Sequence, residues 1–139
     1  MKLHIVARGR IGRGSEAEIV TRYVKRMAWP TIVTELAETT PIPPPPPRSR
    51  TVALDERGKA LDTRDFADVL SKWRDGGVSE ARFLIGAADG HDDATRASAD
   101  LILSFGPATW PHLLLRAMLA EQLYRTTSLL AGHPYHREG

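Results

Sequence analysis

The chain has 139 residues, 42% of them apolar and 26% charged, which suits one globular domain with a real core and little to spare for a second. It contains no cysteine, so disulfides, thiolate nucleophiles and thiolate metal sites are excluded. No apolar run has the length of a secretory core or a membrane span, and the expectation is a cytoplasmic protein with no membrane association.

The net charge of +2 hides a segregation along the chain. Residues 1–30 carry seven Lys/Arg against two acids, while residues 51–110 carry seven against eleven. Arg outnumbers Lys fifteen to four, and guanidinium is the cation suited to forked contacts with phosphate. Such a basic end fits a polyanion such as RNA. A solvated basic face gives the same composition.

Lys2 to Arg8 alternates as a first strand, with Leu3, Ile5 and Ala7 on one side. Arg8-Gly9-Arg10-Ile11-Gly12-Arg13-Gly14 then reads as a flexible basic loop. Ser15 is the expected N-cap of a helix with Glu16 and Glu18 in its first turn, an apolar stripe from Ile19 to Met27, and a stop at Pro30. A second strand covers Thr31 to Ala37. This order suggests a dinucleotide fold with Glu35 or Glu38 on a ribose, but the glycine spacing is G-x-x-G-x-G and the loop holds three arginines. The proline run at 41–47 can be neither helix nor interior strand and reads as an extended connector within one domain. It also contains a P-x-x-P-x-R pattern of the kind that docks in SH3-like grooves.

Arg50 to Leu54 is the third strand, followed by a turn at Asp55 to Lys59. Asp62 or Thr63 caps a helix with Phe66, Val69, Leu70 and Trp73 on one face, ended by Gly76-Gly77. Ala81 to Ile85 is the fourth strand, Asp92 and Asp93 open a short helix, and Leu101 to Leu103 is the fifth strand. Strands alternating with helices imply an α/β fold with a largely parallel sheet flanked by helices. Two of the short apolar runs stop at Gly86 and at Gly106-Pro107, so their C-terminal ends should open into ligand-binding loops.

Pro111 starts a last helix that runs to about Leu130 and pushes Trp110 out of helical geometry into the preceding loop. His112 and Arg116 lie on one side of it and Glu121 and Arg125 on the other, with leucines between. A helix this apolar, with polar residues on opposed faces, calls for cover on more than one side, and a second copy of the chain would supply it. The chain ends His133-Pro134-Tyr135-His136-Arg137-Glu138, a concentration of proton-active and cationic groups. His133 and His136 do not make a metal site, because Pro134 prevents helical ligand spacing and no third ligand is apparent.

Phe83-Leu84-Ile85-Gly86, the loop ending Thr109-Trp110-Pro111-His112, the run Ala120 to Arg125 and the terminal His133 to Glu138 together resemble the ribosomal RNA large subunit methyltransferase H family. The likeness covers nearly the whole chain. Those enzymes methylate ring nitrogen 3 of a pseudouridine in 23S ribosomal RNA and belong to the SPOUT class. The resemblance implies a C-terminal trefoil knot, a homodimer, and S-adenosylmethionine held by Leu54, Gly86, and Phe105, Gly106, Pro107, Ala108, Thr109 and Trp110. The chain departs from the family where Ala87-Ala88 follow Gly86 and where the proline run replaces a helical insertion.

Methylation of an imide nitrogen requires loss of its proton, which calls for a base or a cationic site that favours the anion. Tyr135 and His136 are the candidates for the proton step. Arg125 and Arg137 are the candidates for stabilising the anion or holding a phosphate. Arg8, Arg10 and Arg13 are the expected RNA contacts. A non-catalytic RNA-binding or ribosome assembly factor would use the same basic loop and is separated from an enzyme by cofactor binding.

Overall fold

The computed structural model describes residues 1–136. The elements follow the alternation read from the sequence: β1 (Lys2–Arg8), α1 (Ser15–Arg26), β2 (Thr31–Leu36), β3 (Ser49–Ala60), α2 (Thr63–Asp75), β4 (Glu80–Ile85), α3 (Asp93–Ser98), β5 (Leu101–Ser104) and α4 (His112–Leu130). The strands form one sheet in the order β2-β1-β4-β3-β5, and every neighbouring pair is parallel.

Period-two alternation divides the sheet into two unlike faces. Leu3, Ile5 and Ala7 of β1, Val52 and Leu54 of β3, and Ala81, Phe83 and Ile85 of β4 all enter one core, together with Phe66 and Leu70 of α2 and Leu119 and Leu123 of α4. The alternate positions on β1 and β4 mix buried Val6 and Leu84 with polar His4, Glu80 and Arg82. His4 lies 3.3 Å from Glu80 and 2.7 Å from the Thr34 hydroxyl, and the Arg82 guanidinium donates to the Pro43 carbonyl and lies 3.4 Å from the Thr51 hydroxyl. Burial holds the Arg82 guanidinium below its ordinary pKa range, with Glu80 opposing. Arg82 thereby ties the proline connector to the sheet face opposite the core shared with α2 and α4.

Local chemistry explains the helix boundaries. The Asp62 side chain accepts from the Asp65 amide at 2.8 Å and Asp92 from the Thr95 amide at 2.8 Å, as expected of N-caps. At α1 the expectation fails by one position: Gly14 is the cap residue, no side chain caps the end, and Ser15 is already helical. Glu16 and Glu18 still meet the helix dipole there.

The expected turn at Asp55 to Lys59 is a looped-out excursion within β3. Leu103 of β5 pairs with both Leu54 and Lys59, so the intervening residues leave the ladder and return to it. A Cβ at Gly58 would sit 2.5 Å from the Ile102 carbonyl oxygen, so only glycine lets the returning strand pass this close. Asp55 anchors the excursion by accepting from the Arg57 amide at 2.9 Å and from its guanidinium at 3.0 and 3.1 Å.

α4 is the central helix, in contact with α1 and with α2. Two of its polar groups on opposed sides find partners within the chain. Arg116 is buried against Glu35, and Arg125 pairs with Glu121, so each has an acidic partner inside one copy. Leu119 and Leu123 are fully buried against the sheet and so belong to the chain's own core. Among the described residues no helix is long and apolar enough to cross a membrane.

Leu123→Ala should accordingly cost about 2–5 kcal/mol of folding stability, measured as a lower urea midpoint with an unchanged m-value. Leu123→Asp should give an unfolded chain rather than a folded monomer.

Candidate active site

The excursion within β3 and the C-terminal ends of β4 and β5 open on a common cavity of about 480 Å³, a size ordinary for a small-molecule site. Leu54, Gly86, Phe105, Gly106, Ala108, Thr109 and Trp110 line it. Of the eight positions expected to hold cofactor, Pro107 alone lies outside the lining, exposed on the loop.

Each wall has a local cause. A Cβ at Gly86 would meet the Gly90 carbonyl carbon at 2.8 Å, because the segment after β4 folds back on itself through a Gly90 N–H to Ala87 carbonyl bond of 2.9 Å. His91 closes that turn with Nε2 3.0 Å from the Leu84 carbonyl. Burial pushes its imidazole below the usual pKa, partly offset by this hydrogen bond, so Nε2 carries a proton and donates. After β5, the Ser104 hydroxyl donates to the Gly106 carbonyl at 2.7 Å, and Gly106 takes the left-handed φ of 103° that favours glycine. Trp110 is exposed, and its indole N–H donates to the Phe105 carbonyl at 3.2 Å, closing the loop.

The sequence reading missed the acidic and helical walls. Asp55, Glu56, Arg57, Asp89 and His112 also line the cavity. Hydrogen bonds from Arg57 hold the Asp55 carboxyl below the usual range although burial opposes them, and Arg96 adds to the effect. The available signal was the cluster Asp55-Glu56-Arg57 directly after a strand end that already held a predicted contact.

The tail makes a second, separate cluster. The Tyr135 hydroxyl lies 3.2 Å from that of Tyr23 and 3.3 Å from Glu121 Oε1, to which it donates. The Arg125 guanidinium stacks 4.8 Å from the centre of the Tyr135 ring, donates to Glu121 at 2.7 Å, and lies 3.4 Å from His136 Nδ1. Burial, then the Tyr23 hydroxyl and the Glu121 charge, raise the Tyr135 phenol well above its ordinary pKa, so it stays protonated at neutral pH. Tyr124 completes an aromatic group, its ring 4.6 Å from that of Tyr135 and 5.5 Å from that of Tyr23. Arg137 lies outside the described residues.

Among the described residues, Arg125, Tyr135 and His136 are not part of the cavity lining. His112 lines the cavity at the first turn of α4, and Arg125 stands about 20 Å further along the axis at 1.5 Å per residue. Between them an open groove of about 780 Å³ runs along α1, α2 and α4, with Ile19, Tyr23, Leu114, Met118 and Glu121 among its walls.

At the N-terminal end, Arg8 donates to the Ala37 carbonyl at 2.7 Å and to the Thr40 carbonyl, so part of its guanidinium braces the chain after β2. Arg10 and Arg13 are exposed. Glu35 is engaged by Arg116 and by the Ile11 amide, which leaves the ribose-binding role considered for it without support.

A family model described as Predicted SPOUT methyltransferase matches residues 1–136. Proteins named Ribosomal RNA large subunit methyltransferase H from Novosphingobium aromaticivorans and Rhizorhabdus wittichii are each 63% identical over the full length of both chains. A relative of the same name from Paramagnetospirillum magneticum is 45% identical, covering 99% of each chain. Among solved structures, a probable methyltransferase from Bordetella pertussis superposes with a TM-score of 0.59 at 13% identity, covering 90% of this chain and 93% of that one. The SpoU methyltransferase AviRb from Streptomyces viridochromogenes, solved in complex with AdoMet, superposes with a TM-score of 0.51 at 12% identity, covering 90% of this chain and 59% of that one; both show a shared fold. The chain belongs to the ribosomal RNA large subunit methyltransferase H family of SPOUT methyltransferases.

Proposed function

We propose that the chain is an S-adenosylmethionine-dependent methyltransferase that modifies ring nitrogen 3 of a pseudouridine in 23S ribosomal RNA, working in the cytoplasm on assembled ribosomes. The observation that carries the reading is the convergence of Leu54, Gly86 and the Phe105–Trp110 loop on one cavity at the strand ends, where parallel sheets bind ligands. The cofactor fits the chemistry of that cavity: apolar walls at Leu54, Leu103 and Leu115, carboxylates at Asp55, Glu56 and Asp89 that suit a cationic ligand, and close backbone approach at Gly86 and Gly106. When bound, it supplies an electrophilic methyl group on a sulfonium. A C-terminal trefoil knot belongs to the same reading, supported by the family.

The chain's own part is to hold the cofactor, exclude water and favour the deprotonated nitrogen. Tyr135 is a poor base, since its surroundings keep the phenol protonated. His136 offers Nδ1 to Arg125, so the neutral ring carries its proton on Nε2 and is placed to donate rather than to accept. The tail therefore acts chiefly as a cationic, hydrogen-bonding site for the developing imidate, with Arg125 held in orientation by Glu121 and Arg137 as a further candidate. The proton leaves to His136 once the Arg125 contact opens, or to water.

The separation of tail and cavity along α4 supports a homodimer in which one subunit's tail addresses the partner's cofactor. The groove with Leu114 and Met118 on its walls is the candidate contact surface. Arg10 and Arg13 would meet RNA phosphates, which fix position without reading sequence.

The deciding experiment is mass spectrometry of 23S ribosomal RNA from cells with and without the gene. One missing methylated pseudouridine supports the reading, and identical nucleoside profiles overturn it. Trp110→Ala should weaken S-adenosylmethionine binding by about tenfold in calorimetry, the loss of roughly 1.4 kcal/mol, with little change in melting temperature. Removal of residues 134–139 should abolish single-turnover methyl transfer to ribosomes while leaving cofactor affinity within a few fold.

A mixing experiment tests the shared site. Gly86→Val drives a side chain into the Gly90 backbone and should inactivate the cofactor pocket, while Arg125→Ala should inactivate the tail. Equal amounts of the two, unfolded and refolded together, should recover about a quarter of wild-type activity if sites are built across a two-fold dimer. No recovery with dimers present would place both halves of the site in one subunit.

A further inference from the structure

The first turns of α4 carry a second device beside the cavity wall. Arg116 is 1% exposed and is the bulkiest of the fully buried side chains. A buried guanidinium is often replaceable by apolar residues without loss of stability, so its presence calls for an account beyond packing. Its Nη1 donates to Glu35 Oε2 at 2.5 Å, and its Nη2 donates to the Gly9 carbonyl at 3.1 Å and lies 3.4 Å from the Arg8 carbonyl. The same Glu35 oxygen accepts from the Ile11 amide at 2.8 Å.

These bonds converge on the basic loop. Gly9 and Gly12 have left-handed φ values of 83° and 75°, and a segment this rich in glycine loses much conformational entropy when ordered. Arg116 and Glu35 hold residues 8, 9 and 11 from beneath, and the Gly9 amide is further tied to the Leu36 carbonyl at 2.8 Å. The side chains of Arg10 and Arg13 are left exposed. Ordering such a loop has a purpose when its two exposed guanidinium groups must meet fixed points on a ligand. Arg116 also directly follows Leu115, a residue of the cavity wall, so loop and cavity are referenced to the same turn of helix.

Resting on the RNA-methylating reading above, we propose that Arg116 and Glu35 form a latch that pre-orders the loop Gly9–Gly14, so that Arg10 and Arg13 engage RNA phosphates at a set distance from the cofactor cavity. Arg116 is a positioning residue: it touches neither RNA nor cofactor and acts through the loop backbone. The latch lowers the entropy lost on binding, and the arginines supply the charge.

The latch and simple electrostatics predict opposite signs for one substitution. Glu35→Ala removes a negative charge beside the loop, which on charge alone strengthens binding to a polyanion. By releasing Arg116 and the Ile11 amide, it should instead weaken binding to purified ribosomes by about five- to twentyfold at fixed salt. The log–log salt slope should stay unchanged, because every arginine remains, whereas Arg10→Ala with Arg13→Ala should reduce the slope by roughly 1.5. Backbone amide exchange at residues 11–14 should quicken at least tenfold in Glu35→Ala while β1 and β4 stay protected, and Glu35→Gln, which keeps the acceptor oxygen, should restore much of the protection. Arg116→Met is the companion variant, and if it fails to fold, Glu35→Ala carries the test alone. Wild-type exchange in the loop of Glu35→Ala, or ribosome binding as tight as wild type despite faster exchange, overturns the latch. Absence of salt-dependent ribosome binding by the unaltered protein overturns the RNA reading instead, and amide exchange then judges the loop-ordering role by itself.

Discussion

The placement of α4 across the sheet is the constraint on which the rest depends. Leu119 and Leu123 are fully buried in the main core, while Ala117 and Ala120 pack with Val20 and the apolar face of α1. Burying side chains of this size contributes roughly 1.5–3 kcal/mol each for the leucines, and contact with both neighbouring helices fixes rotation as well as position. Three regions inherit that fixation: the cavity wall at His112 and Leu115, the contact with the N-terminal loop through Arg116, and the anchorage of Tyr135 and His136 at Glu121 and Arg125. A rotation of the helix by one residue would disturb all three together.

Most of the fold was legible because the signals are local. Alternation marks β1, the Asp62 and Asp92 caps mark α2 and α3, and Pro111 marks the start of α4. The loops that line the cavity were legible for the same reason, since Gly86 and Gly106-Pro107 break apolar runs where parallel strands end. Non-local facts were not. Arg116 reads on a helical wheel as a surface arginine, and only the fold brings to it Glu35, eighty-one positions away. The excursion after Leu54 reads as an ordinary turn, because nothing nearby in sequence says that Lys59 will rejoin Leu103. The contact of Tyr135 with Glu121 and Tyr23 is likewise invisible in the sequence.

Charge is distributed to match. The cavity gathers Asp55, Glu56 and Asp89 on its walls, while the guanidinium groups of Arg10 and Arg13 lie on the N-terminal loop. The lowered Asp55 carboxyl pKa means that its contribution to stability is fully present above the ordinary carboxylate value and is lost only as pH falls through the lower, folded value. Arg57 and Arg96, which hold it, are the cations nearest that carboxylate, so the acidic wall does not repel itself.

The Pro43 carbonyl held by Arg82 makes the proline run a strut. β2 and β3 are parallel and separated by β1 and β4, so the chain must travel back along the sheet while moving about 14 Å sideways at the usual strand spacing. A helix covering that diagonal of roughly 25 Å would need about sixteen residues at 1.5 Å each, whereas an extended proline rod advances about 3.1 Å per residue and needs about eight. Its prolines have no N–H groups to satisfy, so the rod can lie on a sheet face with few hydrogen bonds. The crossover thus needs no helix, and that economy helps a chain of 139 residues close a five-stranded parallel sheet.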